Sequence, residues 1–225
     1  MVHNIAIDGP AGAGKSTVAK KVAKELSFVY VDTGAMYRAM ALYLLRKGVN
    51  RENLDEIGEA CQNAEISIEY QHGEQLVLLD GENVNDHLRT EEVSGMASVS
   101  SAVPRVRAKL LDLQRKLART MSVVMDGRDI GTTILPDADV KIYLTASSLT
   151  RARRRYLEYQ ERGEDCNLAE IQKTIEERDH RDMTREVSPL CQAKDAVLVD
   201  SSELTIDETV EKILSVYHTK VSEEE

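Results

Sequence analysis

The run Gly9-Pro10-Ala11-Gly12-Ala13-Gly14-Lys15-Ser16 has the spacing of a phosphate-binding loop: glycine, four residues, glycine, lysine and a hydroxyl residue, with Thr17 adding a second hydroxyl. Each residue type has a physical task. Glycines let the backbone curl so that successive N–H groups point into one concavity. A helix opening near Lys15 adds the positive end of its dipole. Lys15 can reach the β- and γ-phosphates of a nucleotide, and the Ser16 hydroxyl can ligate Mg2+. A chance match in a chain of this length has a probability on the order of 1% at average glycine usage. Requiring a strand before the loop and a helix after it lowers that further.

Arginine supplies the second chemical signal. Eight of the 17 arginines fall between Arg151 and Arg185, namely Arg151, Arg153, Arg154, Arg155, Arg162, Arg178, Arg181 and Arg185, with only Lys173 as a lysine among them. Arginine in place of lysine is expected where planar, bidentate contact with phosphate matters. Nine acidic residues share the stretch, so an ion-paired helix face accounts for roughly half of the cluster. The others suit a mobile segment that closes over phosphates and excludes water. Asp126 ends an apolar strand, where a carboxylate can hold Mg2+ through water or simply make a turn. No Asn-Lys dipeptide and no Ser-Gly-Gly loop occur, which argues against a GTPase switch and a transporter-type ATPase. A small-molecule kinase fits, because it needs a second anion site facing the loop. A nucleotide-binding regulatory switch with no acceptor is the reading from a different class.

These groups need elements to position them. Val2 to Ile7 is a short apolar strand ending in Asp8, and Lys15 to Leu26 has helical spacing of Val18, Ala19, Val22, Ala23 and Leu26. Phe28 to Val31 is another apolar run, followed by the turn-like Asp32-Thr33-Gly34 and a helix over 35–46. Ser122 to Met125, Val140 to Leu144 and Ala196 to Val199 read as buried strands. Apolar strands alternating with amphipathic helices imply a parallel sheet covered on both faces. Glu65 to Tyr70, Leu76 to Leu79 and Glu82 to Val84, joined at His72-Gly73 and Asp80-Gly81, break that rhythm as an antiparallel meander. Such a meander cannot sit inside a parallel core, so it predicts a small inserted subdomain over about 60–90. Pro104 to Arg119 begins with proline in its first turn, as a helix can. Polar helices are expected over about 148–162 and 168–184, and a frayed tail at Glu223 to Glu225.

Composition sets the outer bounds. The chain has 225 residues, 29 Lys plus Arg and 39 Asp plus Glu, hence a formal net charge of −10. That balance argues against a nucleic-acid binder, which would carry a basic surface. Aromatic residues make up 4%, with no Trp and one Phe, so a base-stacking platform is not expected. Residues 151–185 hold nine basic and nine acidic side chains, so the acidic surplus lies elsewhere and a cleft can be locally positive. Cys61, Cys166 and Cys191 form no Cys-x-x-Cys pair and read as free, buried thiols in a reducing compartment. No apolar run approaches a membrane span, and the early position of Gly9 leaves no room for a signal peptide. A cytoplasmic protein, without nucleic acid, membrane or obligate protein partner and acting as a monomer, is the expectation.

Five spaced motifs carry a family resemblance: Gly9 to Thr17, Asp32 to Arg38, Pro104-Arg105-Val106-Arg107, Asp126-Gly127-Arg128-Asp129-Ile130-Gly131, and Glu177 to Asp182. In order and over nearly the whole chain, they resemble the bacterial cytidylate kinases, within the nucleoside monophosphate kinases. The resemblance implies an α/β fold of the P-loop NTPase type: a five-stranded parallel sheet with flanking helices, an inserted antiparallel nucleotide-binding subdomain and an arginine-rich lid. In this chain the core would be about 1–59, 91–147 and 186–220, the insert about 60–90, and the lid about 148–185.

The implied activity is transfer of the γ-phosphoryl group of Mg-ATP to CMP or dCMP. Gly9 to Thr17, with lid arginines such as Arg151 and Arg155, would hold ATP. Arg38, Arg128 and Arg185 would hold the phosphate of CMP, with Thr33 and Tyr37 beside them. Thr33 stands where the family often has Ser, and the hydroxyl is kept. Ser98, Arg107 and Asp129 would read the base: a carboxylate accepts from cytosine N4, and an arginine donates to N3 and O2. Asp129 could instead simply pair with an arginine. Asp182 and Arg178 would meet the ribose hydroxyls, or else form an ion pair within their helix. Lys15, Arg128 and Asp126 would carry the catalysis, with Ser16 and Asp126 at Mg2+. A kinase of the same fold with a different acceptor, such as another nucleotide or a hydroxy acid, is the nearest alternative.

Overall fold

A computed structural model describes residues 2–222, so the tail expected at Glu223 to Glu225 lies outside the described residues. The elements run β1 (Asn4–Asp8), α1 (Lys15–Leu26), β2 (Val29–Asp32), α2 (Thr33–Arg46), α3 (Leu54–Ala60), β3 (Ile66–Gln71), β4 (Glu74–Leu79) and β5 (Glu82–Asn83). They continue with α4 (Glu91–Ser100), α5 (Pro104–Thr120), β6 (Val123–Gly127), β7 (Val140–Thr145), α6 (Ser148–Glu161), α7 (Leu168–Thr184), β8 (Val197–Asp200) and α8 (Ile206–Ser222).

Five strands form a parallel sheet in the order β2-β6-β1-β7-β8. Its central strands are largely apolar, Lys141 in β7 being the exception: Ile5, Ile7, Val123, Val124, Met125, Val140, Ile142 and Leu144 are at most 1% exposed. Such runs suit a sheet covered on both faces, and full burial of each large side chain contributes about 1.5–3 kcal/mol. Ile5 pairs with Val140 and Ile7 with Ile142, which fixes the register of β1 against β7. Ligands of open parallel sheets bind beyond the carboxyl ends of the strands. Asp8 closes β1 and Asp126-Gly127 closes β6 at those ends.

The chain divides into two compact units. One covers 29–123 together with Val2, and the other covers 3–28 and 124–222. In the larger unit, α1 buries Val18, Ala19, Val22 and Ala23 and ends at Ser27 in the left-handed conformation. α8 packs on α1. Phe28 and Tyr217 meet edge to face at 5.7 Å. α6 and α7 pack on each other through Ala152, Ile171 and Ile175, with Tyr156, Tyr159, Cys166 and Leu168 around them.

In the smaller unit, β3, β4 and β5 make an antiparallel meander with Ile66 opposite Leu79 and Ile68 opposite Val77. Both tight turns use paired left-handed residues, His72-Gly73 and Asp80-Gly81, as two-residue hairpin loops require. Val77 and Leu79 are buried, and α2 packs against β4 and α4. This compact unit is wider than 60–90, since it also includes α2, α4 and α5.

Two expectations need correction. Asp32-Thr33-Gly34 is not a turn: the Asp32 carboxylate accepts the Ala35 N–H and caps α2, which therefore starts at Thr33. The three cysteines are free, but only Cys61 is buried; Cys166 is half-buried and Cys191 is exposed. Cys191 lies in the irregular segment between α7 and β8, where no apolar face covers it. Among the described residues no helix is long and apolar enough to cross a membrane.

Candidate active site

The glycine-rich loop joins β1 to α1, and steric limits explain its sequence. A Cβ on Gly9 would fall 1.9 Å from the Leu144 carbonyl oxygen, so only glycine fits between the loop and β7. Gly14 caps α1 with φ of 84°, a conformation that L side chains avoid. Lys15 is buried in the first turn, and its Nζ donates to the carbonyl oxygens of Gly9 at 2.8 Å and Pro10 at 2.7 Å. Burial holds the Lys15 ammonium well below its ordinary range; the charges of Arg128 and Arg178 add to this, while Asp126 and Asp8 oppose it. A cation desolvated in this way gains strongly from an incoming phosphate.

The Ser16 hydroxyl donates to Asp126 Oδ2 at 3.0 Å. A hydroxyl in the first turn of α1 and a carboxylate at the end of β6 form a hard-oxygen donor pair. That pair fits Mg2+, which is usually held by one or two protein oxygens with substrate phosphates and water. Among the described residues no group of three or more His, Cys, Asp or Glu side chains could hold a metal ion. The fit therefore depends on the nucleotide supplying further oxygens.

Sequence reasoning passed over Asp8. Its carboxylate, 4% exposed, accepts the backbone N–H groups of Ile130 and Gly131, each at 2.8 Å. It therefore pins the π-helical turn Ile130–Ile134 that follows Arg128 and Asp129. Lys141 packs its stem against Gly131 while its Nζ donates to Pro136 and pairs with Asp195 at 2.7 Å. Burial raises the Asp8 pKa to about 6, with the nearby Asp129 adding to the shift and the two backbone donors and Lys15 opposing it. The available signal was a carboxylate ending an apolar strand directly before the loop.

Within the same unit the expected acceptor-side residues are drawn together by ion pairs. Arg128 Nε donates to Asp182 Oδ2 at 2.9 Å and its Nη1 donates to the Gly127 carbonyl at 3.1 Å. Asp182 thus pairs across from α7 to the end of β6, not along its own helix. Arg185 Nη2 lies 3.5 Å from Asp129 Oδ1, and its Nε donates to the Ser188 carbonyl at 2.8 Å. Asp126, Asp129 and Asp182 are all buried. Arg178 lies near enough to Lys15 for its charge to be felt there.

The smaller unit holds the remaining expected acceptor residues. Thr33 is buried in the first turn of α2, and Arg38, one turn on, pairs with Asp32 at 3.0 Å. The Arg107 guanidinium lies over the Tyr37 ring at 5.6 Å and donates to the Ser101 carbonyl at 3.2 Å. Ser98 is half-buried in α4, and its carbonyl accepts the Ser101 hydroxyl. Thr33, Tyr37 and Arg38 thus share one helix, and Arg107 reaches both that helix and the segment after α4.

Arg151 and Arg155 lie one turn apart on α6 but differ in environment. Arg151 is 6% exposed, and all three of its guanidinium nitrogens have protein partners. Arg155 is half-buried, donates to the Tyr159 hydroxyl at 2.9 Å and lies over that ring. Arg154, not singled out from sequence, donates to the Ser201 carbonyl at 2.7 Å. A Cβ on Gly14 would lie 3.9 Å from its Nη1.

Comparison with known proteins finds relatives over nearly the full chain. A family profile described as cytidylate kinase matches residues 5–219. A cytidylate kinase of Desulfitobacterium hafniense is 52% identical, covering 96% of this chain and 93% of its own length. One from Caldicellulosiruptor saccharolyticus is 47% identical, covering 98% of each chain. A solved structure of an uncharacterized protein from Eubacterium ventriosum aligns at 15% identity with a TM-score of 0.52, covering 96% of this chain and 99% of that chain, which shows a shared fold. With near-full coverage and about half of the residues identical, the chain belongs to the cytidylate kinase family.

Proposed function

We infer that this chain transfers the γ-phosphoryl group of ATP to CMP or dCMP, giving ADP and CDP or dCDP. The observation that carries this reading is the pairing of a phosphate loop with a second charged cluster in one unit. Lys15 stands in the loop, and Arg128, Asp129, Asp182 and Arg185 are held together by ion pairs. In the reaction an oxygen of the acceptor phosphate attacks the γ-phosphorus. The bond from the γ-phosphorus to the bridging oxygen breaks, and its electron pair leaves on ADP. Phosphoryl transfer of this kind needs positioning and charge stabilisation, not a covalent enzyme intermediate or a general base.

Roles follow from side-chain chemistry. Gly9 to Thr17 offer N–H and hydroxyl donors to the ATP phosphates, and Lys15 neutralises charge on the transferring group. Ser16 and Asp126 are the residues that would hold Mg2+, which when bound supplies positive charge to the phosphate oxygens. Arg38, Arg128 and Arg185 suit the CMP phosphate, with Thr33 and Tyr37 beside Arg38. Asp129 accepts from cytosine N4 while Arg107 donates to N3 and O2, with Ser98 as a further polar contact. Asp182 and Arg178 serve the ribose. Uracil presents an acceptor at position 4 and would meet Asp129 acceptor to acceptor, a mismatch that leaves buried polar groups unpaired. The same reading gives the meander over 60–90 to acceptor binding and the 148–185 segment to a lid, in a cytoplasmic monomer with no nucleic-acid or membrane partner.

An ADP-release assay with Mg-ATP and a panel of CMP, dCMP, UMP, AMP, GMP and shikimate tests the reading. Turnover should be highest with CMP or dCMP. A higher rate with any other acceptor would overturn the base assignment, and slow hydrolysis indifferent to every acceptor would favour a nucleotide switch.

A further inference from the structure

Ala11 in the phosphate loop is gripped from both sides by one ion pair. Its N–H donates to Asp179 Oδ1 on α7 at 3.4 Å, and its carbonyl accepts from Arg151 Nη1 on α6 at 2.8 Å. Arg151 Nη2 and Asp179 Oδ2 close the ring at 2.7 Å. Arg151 is anchored at its other edge, where Nε donates to the Ala146 carbonyl at 2.9 Å. Both side chains are buried, Arg151 at 6% and Asp179 at 8% exposure. The backbone is close as well, since a Cβ on Gly12 would meet the Arg151 Cβ at 3.4 Å.

We propose that Asp179, acting through Arg151, is a positioning residue that sets the peptide orientation of the phosphate loop for ATP. This rests on the reading of the loop as the ATP site. In a trans peptide the C=O and the following N–H point in opposite directions. Arg151 draws the Ala11 carbonyl toward α6, so the Gly12 N–H is turned away from α6 and is left available to a phosphate. Asp179 fixes the preceding peptide plane in the same way through the Ala11 N–H. The guanidinium fork of Arg151 is spent on protein acceptors, so its contribution to ATP binding is indirect. α6 and α7 are packed on each other, so the posture of the arginine-rich segment and the shape of the loop are set together.

Removing one partner of a buried ion pair strands the other charge, whereas replacing both with apolar residues often restores stability. That difference separates positioning from mere support. Binding of CMP and of a non-hydrolysable ATP analogue is measured by calorimetry, and thermal stability is recorded, for Asp179→Asn, for the double variant Arg151→Met with Asp179→Leu, and for Lys15→Ala. The expected result is at least tenfold weaker binding of the ATP analogue in Asp179→Asn and in the double variant, with CMP binding within about twofold of the parent. The double variant recovers stability but not ATP affinity. Recovery of ATP affinity together with stability would overturn the proposal, as would CMP binding that falls as much as ATP binding. If Lys15→Ala also binds the ATP analogue normally, the loop reading itself has failed. If only Lys15→Ala loses binding, the loop reading stands and the clamp does not.

Discussion

Arg128 and Asp182 form an ion pair at 2.9 Å that joins the residue following β6 to the last turn of α7. The family resemblance gives both to CMP, one to its phosphate and the other to its ribose. The pair lets each hold the other in place until a ligand competes for one of them. Asp182→Ala removes a carboxylate acceptor and frees the Arg128 side chain. A hydrogen bond to a charged group contributes about 1.5–3 kcal/mol, so KM for CMP should rise by about tenfold or more. KM for ATP should change less. Steady-state kinetics with each substrate varied in turn checks this, and the reverse pattern would move Asp182 to the donor side.

Lys15 is the only lysine within the glycine-rich loop motif, and its ammonium is satisfied by two loop carbonyls. Those bonds hold it in the loop and do not replace its charge. Lys15→Ala should lower kcat/KM by at least about a hundredfold, since losing such a charged contact in a transition state costs about 2–4 kcal/mol. Initial rates at ATP concentrations well below KM, with CMP saturating, are the direct measurement. Near-normal turnover would remove the loop from catalysis.

Asp129 presents Oδ1 to Arg185 at 3.5 Å, a long contact for an ion pair. It lies between two arginines, Arg128 in sequence and Arg185 in space. Asp129→Asn puts an amide there, which can donate to the O4 of uracil. The ratio of kcat/KM for CMP to that for UMP should therefore fall, and parallel assays with the two acceptors read it directly. An unchanged ratio would leave Asp129 as an ion-pair partner only.

Much of this architecture was legible locally. Ile5 to Ile7 and Val123 to Met125 are apolar in succession, Val140 to Leu144 is apolar apart from Lys141, and all three become buried parallel strands. Gly9 to Ser16 encode their own curl. His72-Gly73 and Asp80-Gly81 announce the hairpin turns that set the meander apart. Three helices, α3, α4 and α8, were not foreseen. In the short α3 and α4 the clearest signals are caps, the Asn53 side chain accepting from Glu56 N–H and the Thr90 hydroxyl from Val93 N–H, whereas α8 carries a legible signal in Val210, Ile213, Leu214 and Tyr217 at helical spacing. The site was legible where a motif carries its function and hidden where a partner does. Asp8 acquires its role from Ile130, 122 residues away, and Asp179 from Ala11, 168 residues away. Spacing alone put Arg151 and Arg155 on one helix face. It could not show that Arg151 turns inward to the loop backbone.

Asp8 connects the site to pH. Burial lifts its pKa from the ordinary 3.8 to about 6. The folded state thus holds this proton more tightly than the unfolded chain does. Stability from this linkage is fully present below pH 3.8 and is lost as pH rises through about 6. The difference amounts to about 3 kcal/mol at neutral pH, taken at 1.36 kcal/mol per pKa unit. Asp8→Asn cannot ionise, so its stability lacks this slope. Its free energy of unfolding relative to the parent should therefore climb by about 2 kcal/mol between pH 4 and pH 7, the remainder falling below pH 4, as read by urea denaturation at a series of pH values. The amide retains only one acceptor oxygen for two backbone donors, so the turn at Ile130 and Gly131 loses a hydrogen bond whatever the pH. Asp8→Asn should accordingly show weaker CMP binding than the parent at pH 7 despite its relative gain in stability. A flat stability difference across that pH range would mean that Asp8 ionises normally in the folded protein.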